Sequence, residues 1–86
     1  MSRTGIEEVL RFLGGDAAQL LERLRSEGLF EEPELESYEA EELRVAVPWM
    51  RDLGVNPAGV DIALQLRRRL LLLEDRLRQA LEQLEK

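Results

Sequence analysis

Between Ala63 and Leu84, the apolar residues Ala63, Leu66, Leu70, Leu73, Leu77, Ala80 and Leu84 step by 3, 4, 3, 4, 3, 4. That spacing holds one apolar stripe on one side of an α-helix and is the pattern of a coiled-coil seam. The helix that carries it is predicted to start at Pro57, where no backbone donor is needed, behind Asn56 as N-cap. It runs to near Glu85. At about 1.5 Å per residue it approaches 40 Å. An 86-residue chain makes one domain at most, narrower than that, so part of the helix must project. Ile62, Leu64, Leu71 and Leu72 lie off the stripe and are expected to find a second burial site on the chain's own body. The predicted organisation is a body over 1–56 and a C-terminal helix over 57–86. The seam residues Leu66, Leu70, Leu73, Leu77, Ala80 and Leu84 are expected to hold a homodimer, since so small a core is marginal alone.

The body reads as short helices. Thr4-Gly5-Ile6-Glu7 has the form of a capping box with Thr4 as N-cap, followed by Ile6, Val9, Leu10 and Leu13 at helical spacing. Gly14-Gly15 ends that helix. Asp16-Ala17-Ala18-Gln19 has the form of a second box, before a helix with Leu20, Leu21 and Leu24 on its apolar face and Gly28 just past its end. Two short helices joined by a glycine-containing turn make a helix-turn-helix pattern. GLFEEPELESY is too broken for a helix and is predicted to form a small hairpin or an irregular wing. Helix returns from Glu39 to Asp52 with Leu43, Val47 and Met50 on one face, and Pro48 inside it predicts a kink or a helix in two pieces. Trp49 reads as a core or interface anchor. In DLGVNPAGV, Gly54 is expected to end that helix in a left-handed conformation, and Gly59 to admit a neighbouring helix closely.

Composition narrows the function. The chain has no cysteine and no histidine. Disulfides, thiol chemistry, Cys/His zinc sites and the commonest general base are thereby excluded. No catalytic constellation, metal site or cofactor motif is legible: the Glu31–Glu36 stretch lacks the glycine turn and ligand order of a calcium loop, and Glu41-Glu42 has no pocket-forming neighbours. No leader and no membrane span are evident, which predicts a soluble cytoplasmic protein. The net charge is −6, and the imbalance lies in residues 1–50, which carry 12 acidic against 5 basic residues, while residues 51–86 are close to neutral. From Ser26 to Leu43 there are eight Glu and no Lys or Arg. Such a front half argues against nucleic acid, whose binding needs phosphates neutralised. Arg67, Arg68 and Arg69 fan too widely around a helix to form one stripe; Arg67 and Arg69 flank the seam and Arg68 points away from it.

The order of helix, turn, helix, EGLFEEPE, YEAEEL, helix, DLGVNPAGVDIAL and a long heptad helix resembles the MerR-like winged-helix superfamily over nearly the whole chain. Within it the chain is most similar to the small chaperone-modulator branch of the CbpM and DafA type. The resemblance implies a mainly α fold: a winged helix-turn-helix with a short wing and a long C-terminal dimerisation helix. It also implies a non-enzymatic dimer that binds the J-domain of a DnaJ-type co-chaperone and regulates or assembles the DnaK/DnaJ system. The corner motif occurs in heat-shock repressors too, which leaves a second reading open, a MerR-like DNA-binding transcriptional regulator.

The chain departs from the DNA-binding members at the positions that would touch DNA. Its second helix carries LLERLR, with only Arg23 and Arg25 able to reach phosphate, and the wing is acidic instead of basic. J-domains present a basic second helix. The expected docking surface is therefore the acidic wing, Glu31, Glu32, Glu34 and Glu36, with Leu29, Phe30 and Leu35 as apolar anchors and the adjoining helix face around Arg23 and Glu27.

Overall fold

The computed structural model describes residues 3–85. Its elements in chain order are β1 (Arg3–Gly5), α1 (Ile6–Leu13), α2 (Ala17–Ser26), β2 (Glu34–Glu36), α3 (Ser37–Leu53) and α4 (Pro57–Leu84). The protein is mainly helical, with one small sheet. β1 and β2 pair antiparallel, with Arg3 opposite Glu36, Thr4 opposite Leu35 and Gly5 opposite Glu34. The segment read as a wing thus makes no hairpin of its own; its second half pairs with the start of the chain.

That pairing displaces the first capping box. Thr4 sits in β1, the N-cap is Gly5, and no side chain caps the helix. The backbone N–H of Ile6 donates instead to the carbonyl of Pro33 at 3.0 Å, so a carbonyl brought in by tertiary structure does what a cap side chain would do. At α2, Asp16 is the N-cap but makes no capping bond; its carboxylate accepts from Arg51 Nε at 2.8 Å. A capping box does form where none was read, at α3, between Glu36 and Glu39. It moves the start of that helix forward to Ser37. Pro48 does not split α3, which is one helix.

The corner behaves as read. Gly54 closes α3 at φ 69° and ψ 21°, and the Asn56 side chain accepts from the Gly59 N–H at 2.8 Å. Gly59 serves a different neighbour from the expected one. A Cβ there would lie 2.9 Å from Val55 Cγ1 and 3.2 Å from Asn56 Oδ1. The missing side chain makes room for the corner's own residues, not for another helix.

The core fills the space between α1, α2, α3 and the first turns of α4. Leu24, Leu35, Leu43, Val9, Val47, Val60 and Leu64 are fully buried there. Trp49 is half-buried against it. α4 has 28 residues, about 42 Å at 1.5 Å per residue, and buries only Val60 and Leu64. The molecule measures 50 × 28 × 21 Å, and its long dimension matches this projecting helix. No helix is long and apolar enough to cross a membrane among the described residues.

Candidate interaction surfaces

The seam stands where the periodicity puts it. Leu66, Leu70, Leu73, Leu77 and Leu84 are each more than half exposed, and Ala80 is exposed. Leu64 is fully buried against the body, and Leu66, two residues on, is about 200° further round the helix. The apolar stripe therefore faces away from the body. The off-seam set divides. Leu64 is buried as expected, but Ile62 is 60% exposed, Leu71 46% and Leu72 51%. The body reaches Leu71 only at the edge of an open cleft with Tyr38 and Glu41 and so covers it in part, and Ile62 lies on the seam side. Leu81 is also exposed, and extends the apolar surface near the C-terminal end.

One contact ties α4 to the body beyond the core. Glu42 on α3 is 3% exposed and accepts two hydrogen bonds from Arg68, at 2.6 Å from Nε and 2.8 Å from Nη2. This forked geometry is the strong form of a carboxylate–guanidinium pair. The hydrogen bond to Glu42 raises the guanidinium's pKa above its ordinary value. Arg68 thus points away from the seam, and it does so because a buried carboxylate waits on that side. Arg67 and Leu71 line an open cleft with Tyr38, Glu41 and Glu42. Sequence reasoning did not see this pair: the residues are 26 apart, and Glu42 looked like one more surface carboxylate.

Around β2 the acidic residues gather from more of the chain than the wing. One shallow cleft of about 490 Å³ is lined by Arg3, Glu32, Pro33, Glu34, Glu36 and Glu39. A neighbouring one, on the other side of Pro33 and Glu34, adds Glu7, Glu8 and Arg11. Glu7, Glu8 and Glu39 were missed because α1 and α3 supply them, and only the β1–β2 pairing brings those helices beside the wing. Glu31, Glu32 and Glu34 are exposed. Glu36 is engaged: it pairs with Arg3 at 3.1 Å and belongs to the α3 capping box.

The expected apolar anchors are corrected. Phe30 is 8% exposed and Leu35 0%, both members of the core, and Leu29 is half-buried against it. Leu35 faces inward because β2 alternates, with Glu34 and Glu36 outward. Phe30 is held at φ 55°, and its carbonyl accepts from Arg25 Nε at 3.0 Å. None of the three is free to anchor a partner. Arg23 and Glu27 are exposed near the end of α2. Arg25 is spent on the Phe30 carbonyl and on Glu22, which leaves Arg23 as the cation of α2 open to a ligand.

A second unforeseen device fixes the α1–α2 turn. Arg51 on α3 donates to Asp16, to the Leu13 carbonyl at 3.3 Å and to the Gly14 carbonyl at 2.7 Å. One guanidinium thus serves the Leu13 carbonyl at the end of α1 and the C-cap Gly14 carbonyl, which also accepts from the Ala17 N–H at 3.2 Å. Among the described residues no group of three His, Cys, Asp or Glu is placed to hold a metal ion.

No family model, no curated protein and no solved structure matches this chain.

Proposed function

We propose that this protein is a non-enzymatic, dimeric chaperone modulator, with a winged helix-turn-helix body that binds the J-domain of a DnaJ-type co-chaperone and, through it, regulates or assembles the DnaK/DnaJ system. The observation that carries the reading is the acidic face around β2, built from α1, the wing and α3. It has the sign that a basic J-domain helix requires, and opposite charge steers encounter and sets register. The exposed seam on α4 supports the dimer, because a monomeric protein rarely leaves so much contiguous apolar surface in water. The engagement of Arg25 weakens the DNA-binding alternative further.

The test replaces Glu31, Glu32 and Glu34 together by Lys and leaves Glu36, whose loss would also uncap α3. Binding of an isolated J-domain is measured by calorimetry at several salt concentrations. The variant is expected to bind about tenfold more weakly or worse at low salt, with a flatter salt dependence. Equal affinity of variant and parent at low salt would remove the acidic face from the reading. A parent that ignores J-domains but shifts duplex DNA would replace it with the regulator.

A further inference from the structure

We infer that α4 pairs with α4 of a second copy in parallel and in register, with Arg69 of each chain against Glu74 of the partner subunit. The inference rests on the dimer proposed above and adds its geometry. In the heptad set by the ladder, Ala63, Leu70, Leu77 and Leu84 occupy one core position and Leu66, Leu73 and Ala80 the other. The residues that flank the core on one edge are Ile62, Arg69, Arg76 and Gln83. On the other edge they are Arg67, Glu74 and Leu81.

A parallel pair sets each residue of the first edge against the residue five positions on in the other chain. Arg69 then meets Glu74, twice by symmetry, while Arg76 meets Leu81 and Ile62 meets Arg67. No like charges meet. An antiparallel pair sets like edges together. One antiparallel alignment, with Leu70 opposite Leu73 and Ala63 opposite Ala80, pairs six of the seven ladder residues and leaves out Leu84. It places Arg69 against Arg76 twice, offset only by Arg67 against Glu74. Sliding by a heptad either way brings Arg76 onto Arg76 and Glu74 onto Glu74, or Arg69 onto Arg69 and Arg67 onto Arg67. The first of these also pairs six ladder residues, Leu66 with Leu84, Leu70 with Ala80 and Leu73 with Leu77, so its like charges alone disfavour it; the second gives up core layers as well.

The tertiary structure adds weight to the parallel arrangement. Arg67, which supplies the only attraction in the antiparallel alignment, is half-buried and lines the cleft with Tyr38 and Glu41 on its own body. Arg69 and Glu74 are exposed. Their neighbours Arg68, Asp75 and Arg78 are in intrachain pairs, but the side chains of Arg69 and Glu74 have no polar partner among the described residues. The seam faces away from the body, so two bodies at the same end of a parallel pair sit on opposite outer sides.

The sign of one charge change separates the orientations. Arg69→Glu sets Glu on Glu in the parallel pair and is expected to weaken dimerisation about tenfold in sedimentation equilibrium at low salt, with Arg69→Glu/Glu74→Arg restoring it. In the antiparallel alignment of Leu70 with Leu73 the same single change turns Arg against Arg into Glu against Arg and tightens the dimer, and in the one of Leu73 with Leu77, where Arg69 meets Gln83, it leaves the dimer unchanged. Ala80→Cys gives a second readout in the full chain, which has no other cysteine. A disulfide needs Cα atoms within about 7 Å. Ala80 faces itself in the parallel pair, so the variant should cross-link in a glutathione buffer. In the two antiparallel alignments its copies stand about 25 Å or about 15 Å apart along the axis, and cross-linking would need Ala80→Cys mixed with Ala63→Cys or with Leu70→Cys. A tighter or unchanged Arg69→Glu dimer with no Ala80→Cys cross-link overturns the parallel geometry and leaves the dimer. A parent that sediments as a monomer at micromolar concentration overturns both.

Discussion

α3 and α4 are both amphipathic, meet at the same corner, and are used in opposite ways. α3 has 17 residues and buries Ala40, Glu42, Leu43, Ala46, Val47 and Met50. α4 has 28 residues and buries only Val60 and Leu64. The leucines of α4 beyond its first turns outnumber those of α3, yet they stand in water in the single chain. α3 is surrounded by α1, α2, β2 and the base of α4, so its apolar face is covered within the chain. Among the described residues the body reaches α4 only as far as Leu71, which lines the cleft with Tyr38 and Glu41. Helices of similar pattern therefore report different things: an apolar stripe on α3 is core, and one on the far half of α4 is surface in want of a partner.

The sharpest way to break this contrast is to charge the seam. Leu73→Lys with Leu77→Lys should abolish the proposed dimer, a loss of several kcal/mol when each leucine buried in the pair contributes about 2 kcal/mol. The α3 body should keep its near-ultraviolet circular dichroism, since neither leucine touches it. Loss of that signal in the variant would mean that the two regions are not separable.

Leu43→Ala is the converse. Leu43 is fully buried on α3, and its truncation should cost about 3 kcal/mol of unfolding free energy in urea, with the seam untouched. A cost below 1 kcal/mol would show that the core collapses around the gap.

The Glu42–Arg68 pair joins the two regions, and Arg68→Ala sharpens the boundary between them. It leaves a buried carboxylate without its partner. The expected cost is about 2 kcal/mol, less than for a wholly buried pair because the Arg68 side chain is 51% exposed. Glu42→Gln/Arg68→Ala should recover part of it. The smallest effect is at the corner: Asn56→Ala removes the α4 cap and should cost about 1 kcal/mol by thermal unfolding, and a null result would mean that the core residues Val60 and Leu64 alone anchor the start of α4.

The legible parts of this protein are those settled by neighbours along the chain. Gly54, Asn56 and Pro57 close one helix and open the next through their own backbone preferences, and the ladder from Ala63 to Leu84 follows from helical spacing alone. The end of α1 at Leu13, before Gly14-Gly15, and the end of α2 at Ser26, just before Gly28, followed from glycines for the same reason. What local rules could not supply was any group whose partner lies far off in sequence. Thr4 lost its cap role to a strand pairing with Leu35 and to the Pro33 carbonyl, and Asp16 gave its carboxylate to Arg51. Glu42 became a buried ion pair because Arg68 arrives on a different helix. Phe30 and Leu35 looked like exposed anchors because an acidic loop surrounds them in sequence, whereas the alternation of a three-residue strand and one left-handed backbone turn put them in the core. Periodicity tells which side of an element is apolar; whether that side meets the chain itself, a second copy or water depends on how far the rest of the body extends, and only the tertiary structure decides that.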